Sequence, residues 1–196
     1  MRDDASALYV DRLGPYPKLV ADWWDAERDA RLYDGPNPIV AHPPCGPWGR
    51  LRHLSKHDSP ELAIRAVEQV RTFRGVLEHP RHSLLFEHCG LPKPGDLPDA
   101  WGGVTIEVSQ CDWGHPARKM TWIYIVGARE LPPMPAPREP THWISGGRGR
   151  EGKKAKTTPV PTGIKVCSAQ QRRRTPVAFA EWLLEIAASA RRVKAA

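Results

Sequence analysis

The apolar run Pro38-Ile39-Val40-Ala41 is cut off by His42-Pro43-Pro44-Cys45-Gly46, and this interruption constrains the fold more than any other stretch of the chain. A run so short and apolar reads as a buried strand. Two consecutive prolines, each with a fixed φ and no backbone donor, end it in a stiff loop. Such a loop loses little conformational entropy on ordering and holds the Cys45 sulfur in one place. A thiol held in this way is a candidate nucleophile. The competing reading is that Cys45 is one more small buried hydrophobe, as free cysteine usually is.

At 196 residues the chain suits a single domain with a sizeable core and room for one poorly ordered insertion. Its four cysteines (Cys45, Cys89, Cys111, Cys167) lie far apart with no Cys-x-x-Cys pair, and the first residues form no apolar signal region. Both features point to a reducing, cytoplasmic setting. No apolar stretch approaches the ~20 residues of a membrane span, so no membrane partner is expected. The net charge of +7 is unevenly placed: Arg138 to Arg174 carries ten Lys/Arg and two Glu, a net of +8, leaving −1 for the rest. Within that segment Arg148, Arg150, Lys153, Lys154 and Lys156 are spaced by glycines with almost nothing to bury, which reads as a mobile loop. A basic loop on an otherwise neutral body fits a polyanion, so these five residues, with Arg172 and Arg173, are the candidate nucleic-acid contacts. A solvated insertion is the plainer alternative.

Strand and helix signals alternate along the chain. Strands are expected at 7–10, 39–41, 75–78, 104–108 and 122–126, the last two forming a local pair. A helix is expected from Leu19 to Leu32, with Trp23, Trp24 and Ala30 on its apolar face. Another begins at Ser59-Pro60-Glu61 and continues through Leu62, Ala63, Ala66, Val67 and Val70. The last runs from Val177 to about Arg191, with Phe179, Leu183 and Ile186 on one side. The pattern predicts an α/β fold with helices on both faces of the sheet and functional loops at its edges. It divides into an α/β catalytic-like core (1–130), a Pro-rich spacer and basic flexible insertion (131–170), and a C-terminal helix packing back on the core (171–196).

In this order the motifs resemble those of the DNA cytosine carbon-5 methyltransferases. That family has a Pro-Pro-Cys loop, a strand ending Glu-Asn-Val, and a segment close to Gly-x-Pro-Gln-x-Arg-x-Arg before a strand that ends in Gly. Here the counterparts are Val40 to Cys45, then Val76-Leu77-Glu78-His79-Pro80, then Trp113-Gly114-His115-Pro116-Ala117-Arg118-Lys119-Met120-Thr121, followed by Trp122 to Gly127. Thr175-Pro176-Val177 echoes the family's closing Val-Pro-Pro. The resemblance covers roughly residues 39–127 and the C-terminal helix, and it implies a compact, phage-like member with a reduced Rossmann-like methyltransferase-type sheet.

The resemblance implies chemistry on a base that has left the duplex or is presented single-stranded. Carbon-5 of a pyrimidine becomes nucleophilic once a thiolate adds at carbon-6, helped by an acid at N3. Cys45 matches the nucleophile and Glu78 the acid, and His42, three residues before Cys45, could hold or deprotonate the thiol. Pro44, Trp48, Arg118 and Lys119 are the candidate substrate contacts. DNA, duplex or single-stranded, is the implied partner, and S-adenosylmethionine the implied donor. The chain departs from the family there: Val10 to Pro17 holds one glycine and two prolines where that cofactor wants a glycine-rich turn, and only 44 residues precede Cys45. Ala117 and Thr121 stand where the family has glutamine and its second arginine. A non-catalytic DNA-binding module that keeps the base pocket is the alternative. A metal protein built on His42/Cys45, His53/His57, His79/His82 or His88/Cys89 is a third reading, disfavoured because no second pair has zinc-finger spacing.

Overall fold

A computed structural model describes residues 1–49, 52, 55, 59–144 and 162–190. The basic positions Arg148, Arg150, Lys153, Lys154 and Lys156, and the pair His53 and His57, lie outside the described residues.

Six strands form one sheet: β1 (Ser6–Leu8), β2 (Trp23–Trp24), β3 (Ile39–Ala41), β4 (Gly75–Pro80), β5 (Val104–Ser109) and β6 (Met120–Val126). Their spatial order is β2-β1-β3-β4-β6-β5. The first four are mutually parallel, and β6 runs antiparallel to both of its neighbours. A two-stranded parallel ribbon, β7 (His142–Trp143) with β8 (Lys165–Val166), lies outside this sheet. The α/β class expected from the alternation is the observed one.

Side-chain alternation on β3 and β4 divides the core. Val40 and Val76 face helix α5 (Val177–Ser189), which contributes Phe179, Leu183 and Ile186, all fully buried. Ile39, Ala41 and Leu77 face α2 (Glu61–Phe73), through Ala63, Ala66, Val67 and Val70, and α3 (Leu84–His88), through Leu85 and Phe86. Strands apolar on both faces are what a parallel sheet covered on two sides requires.

The helix expected over 19–32 does not form. Its place is taken by a four-residue α1 (Tyr16–Leu19), strand β2 and a 3₁₀ turn at Ala30–Leu32. Two causes are visible. Asp25 and Asp29 turn back on their own backbone, Asp25 accepting from the Glu27 and Arg28 N–H groups and Asp29 from Arg31 N–H, as Asp does when it competes with a helix. The bulky Trp23–Trp24 pair is drawn into parallel pairing with Ala7 and Leu8. The short elements α3, α4 (Ala169–Arg173), β7 and β8 were not expected from periodicity either.

Gly75 sets the junction of β3 and β4. Its φ is +111°, and a Cβ there would fall onto the Ile39 carbonyl oxygen and lie 2.7 Å from the Ile39 nitrogen. Ile39 is also its ladder partner, so the absence of a side chain is what lets the two strands close at this point. Gly75→Ala is expected to cost ~2–5 kcal/mol, combining a left-handed backbone penalty with overpacking against main chain. Urea denaturation followed by circular dichroism checks this, and a loss below roughly 1 kcal/mol would mean that the strands have room to separate.

Candidate functional site

The β3–β4 register runs Ile39 with Gly75, Val40 with Val76 and Ala41 with Leu77, so the next step sets His42 beside Glu78. Both lie at the carboxyl end of the parallel strands. β1 has β2 on one side and β3 on the other, so the strand order reverses between β1 and β3, where open α/β folds bind ligands and where Tyr16, from the segment after β1, meets His42 at the end of β3.

A chain of polar contacts is built here. The Tyr16 hydroxyl lies 2.5 Å from His42 Nε2, and His42 Nδ1 lies 3.0 Å from Glu78 Oε2. Gln110 Nε2 donates to Glu78 Oε1 and to Thr121 Oγ1, both at 3.0 Å. Tyr16, Glu78, Gln110 and Thr121 are buried. Burial alone would raise the Glu78 carboxyl, but the Lys119 ammonium and the hydrogen bond from His42 outweigh it and hold the group at about 2. Glu78 is therefore a carboxylate at neutral pH. As placed here it is an acceptor and a counter-charge, whereas the sequence reading made it a proton donor.

Cys45 is the exposed residue of the otherwise partly buried loop after β3. Its thiol is pushed up by loss of water around the sulfur and by the Glu78 charge, while Lys119 and Arg173 pull the other way. One electrostatic neighbourhood thus joins Cys45, Glu78, Lys119 and Arg173. His42 takes a different part from the one expected of it: both ring nitrogens are engaged, by Tyr16 and Glu78, so neither is left to hold the thiol.

The other candidates divide. Pro44 is partly buried in the Cys45 loop. Trp48 anchors that loop, donating from Nε1 to the Pro60 carbonyl at 3.2 Å with its ring centroid 5.0 Å from that of His88, so its ring is committed to packing. Arg118 pairs with Glu139 at 3.6 Å on the surface. Arg172 and Arg173 lie on α4. His115 fastens this helix to the loop that carries Lys119: its Nδ1 accepts from Ala117 N–H at 3.1 Å, and its Nε2 lies 2.9 Å from the Gln171 carbonyl oxygen. Among the described residues Arg172, Arg173 and Arg174 form no ion pair. No group of three or more described His, Cys, Asp or Glu residues could hold a metal ion. No described helix is long and apolar enough to cross a membrane.

Sequence reasoning missed Tyr16, Gln110 and Thr121 as parts of the site. Tyr16 carried the same signal as Cys45, a functional side chain fixed by adjacent prolines, here Pro15 and Pro17. Gln110 follows directly on the alternating run of β5, but no local pattern marks it as a partner of Glu78.

The acid at the end of β2, Asp25, is taken up by the chain's own groups. It spends Oδ1 on the Glu27 and Arg28 N–H groups and Oδ2 on the Nε and Nη2 of Arg12. Arg12 also pairs with Glu27, which straps the turn after β1. An acid whose acceptors are all taken, beside a turn without a glycine-rich cradle, does not fit S-adenosylmethionine.

The chain matches no protein-family model, no curated protein and no solved structure.

This end of the sheet also holds buried polar atoms without partners among the described residues: both His79 nitrogens, Ser109 Oγ and Gln110 Oε1. Burial holds the His79 imidazole down at about 4 despite the Glu78 charge, so it is folded in as the neutral ring. A histidine lowered from 6.5 contributes stability that is present above that value and lost as pH falls toward 4. The Glu78 contribution is present above 4.5 and lost as pH falls toward 2. Each amounts to on the order of 3 kcal/mol. Unfolding free energy measured from pH 8 to pH 3 is expected to begin falling near pH 6.5. His79→Phe should abolish the upper part of that fall, and Glu78→Gln the lower. A curve flat between pH 6.5 and pH 4.5 in the wild type contradicts the His79 assignment.

Proposed function

We propose that the protein acts on cytosine in DNA through Cys45, with Glu78 as the counter-charge to a protonated ring nitrogen and with a sheet of the reduced methyltransferase type. The observation that carries this reading is the shared field of Lys119 over Cys45 and Glu78, which come from the loop after β3 and from its parallel neighbour β4. It is supported by the match between strand ends and motif order, and by an antiparallel strand, β6, that follows the Lys119 segment.

The chemistry balances without a donor. As the S–C6 bond forms, the C5=C6 pair moves to C4=C5 and the N3=C4 pair ends on N3. N3 gains one proton for the one that the thiol gives up. A carboxylate beside N3 favours the protonated ring, which is the form a thiolate attacks. Uracil and thymine already carry N3–H, and thiolate addition leaves their charge on O4, so a carboxylate beside N3 assists addition to cytosine and gives them no such help. C5 then takes a proton from solvent as N3 releases one. Loss of either C5 hydrogen with expulsion of the thiolate returns cytosine.

This cycle exchanges the C5 hydrogen of cytosine with solvent. Incubation of the protein with a cytosine-containing oligonucleotide in D₂O, followed by mass spectrometry of the nucleosides, should show deuterium at C5. Cys45→Ser should abolish exchange while leaving the fold intact, and Glu78→Gln should slow it ~10²–10³-fold, the range for removal of one electrostatic stabiliser. Exchange retained in Cys45→Ser removes the mechanism.

The raised Cys45 thiol favours a second reading, a module that binds the base without attacking it. That reading predicts DNA binding with no exchange in any variant. In both readings Arg172 and Arg173 of α4 and the following Arg174, which form no ion pair among the described residues, meet phosphate. Replacing Arg172, Arg173 and Arg174 by Gln should reduce the log-log salt slope of duplex binding by about 0.9 for each phosphate no longer neutralised, equally for all sequences. An unchanged slope places the DNA surface elsewhere.

A further inference from the structure

We infer that Tyr16 is a positioning residue: by giving its hydroxyl proton to His42 Nε2 it fixes the His42 tautomer and keeps the His42–Glu78 pair negatively charged, ready for a protonated ring. The inference rests on the cytosine reading, but its structural core can be tested without any substrate.

Tyr16 lies between Pro15 and Pro17, its side chain buried and its ring centroid 5.0 Å from that of His42. Among the described residues its hydroxyl has one partner, His42 Nε2. A buried hydroxyl proton needs an acceptor, and Nε2 can accept only if the ring carries its proton on Nδ1. Nδ1–H then points at Glu78 Oε2, and every donor in the chain of contacts finds an acceptor. The doubly protonated ring fails this test. Its Nε2–H would face the Tyr16 oxygen and leave the phenolic proton buried without a partner. The Tyr16 phenol itself is held in its neutral form by burial and by the Glu78 charge, so it serves as a donor.

The groups acting on this pair are Tyr16 from α1, Glu78 and His79 from β4, and Lys119 from the loop before β6. Within the pair, a positive charge on His42 would cancel that of Glu78 at hydrogen-bond distance. A neutral His42 orients the carboxylate through a hydrogen bond and leaves its charge for the ligand. An imidazolium would form a closed ion pair and leave little for N3. Tyr16 decides between the two, although it touches neither the base nor the thiol.

The test is ¹⁵N NMR of the His42 side chain in the full-length, ligand-free protein at neutral pH. The expected pattern is a single neutral ring with Nδ1 protonated and Nε2 bare. In Tyr16→Phe that pattern should give way to the doubly protonated ring or to the other tautomer, and C5 exchange should slow with an altered pH profile. A doubly protonated ring or an Nε2–H tautomer in the wild type overturns the inference, as does a Tyr16→Phe spectrum identical to wild type. If Tyr16→Phe does not fold, the wild-type spectrum alone decides. A wild type that shows the expected tautomer but no C5 exchange removes the cytosine reading, and with it the role given to Tyr16, while the assigned tautomer stands. The two failures are therefore distinguishable.

Discussion

Ile39 and Gly75 meet where β3 and β4 begin, and the close approach of their backbones fixes everything downstream on both strands. With that register His42 falls beside Glu78, and the Pro-Pro loop carries Cys45 over the same strand ends. A slip of one residue would turn Glu78 toward α2 and send His79 into the site, because side chains alternate across the sheet. The two helical layers reinforce the setting. α5 covers one face and α2 with α3 the other, so neither strand can shift without exposing buried aliphatic side chains.

On this frame the site balances opposing electrostatic demands. Glu78 is buried and yet ionised, which needs Lys119 and His42 close by. The same negative charge works against a thiolate at Cys45, and Lys119 and Arg173 work for it. On the proposed reading, a cytosine protonated on N3 would relieve both demands, since it would offset the Glu78 charge and let the sulfur ionise. The resting thiol and the reactive one would then differ through the ligand, with no side-chain movement required. On the same reading α4 would take part in the chemistry, because His115 ties this helix to the loop that carries Lys119.

Much of this was legible in the sequence where a local signal existed. The short apolar run before Pro43, the β-branched run of β6 and the amphipathic helices α2 and α5 all formed within a few residues of where periodicity placed them. The failures share a cause. Residues 19–32 have helical spacing, but the local bonds of Asp25 and Asp29 and the pairing of Trp23–Trp24 with β1 outcompete it. The residues of the site that escaped notice are partners across the fold. Gln110 reaches Glu78 from 32 positions away and Tyr16 reaches His42 from 26. Their roles follow from the register and the switch point, which no window along the chain contains. His42 was noticed for its distance of three residues from Cys45, yet strand geometry sends its ring to Glu78 instead.

The most direct test of the account is intact-mass analysis of the protein after incubation with an oligonucleotide carrying 2-pyrimidinone in place of cytosine. That ring lacks the 4-amino group, is more electrophilic at C6 and needs no donor to hold a thiol adduct. The account predicts one adduct per chain, mapped by proteolysis to the peptide containing Cys45 and absent in Cys45→Ser. A wild type that binds the oligonucleotide but forms no adduct, or an adduct that persists in Cys45→Ser, contradicts it.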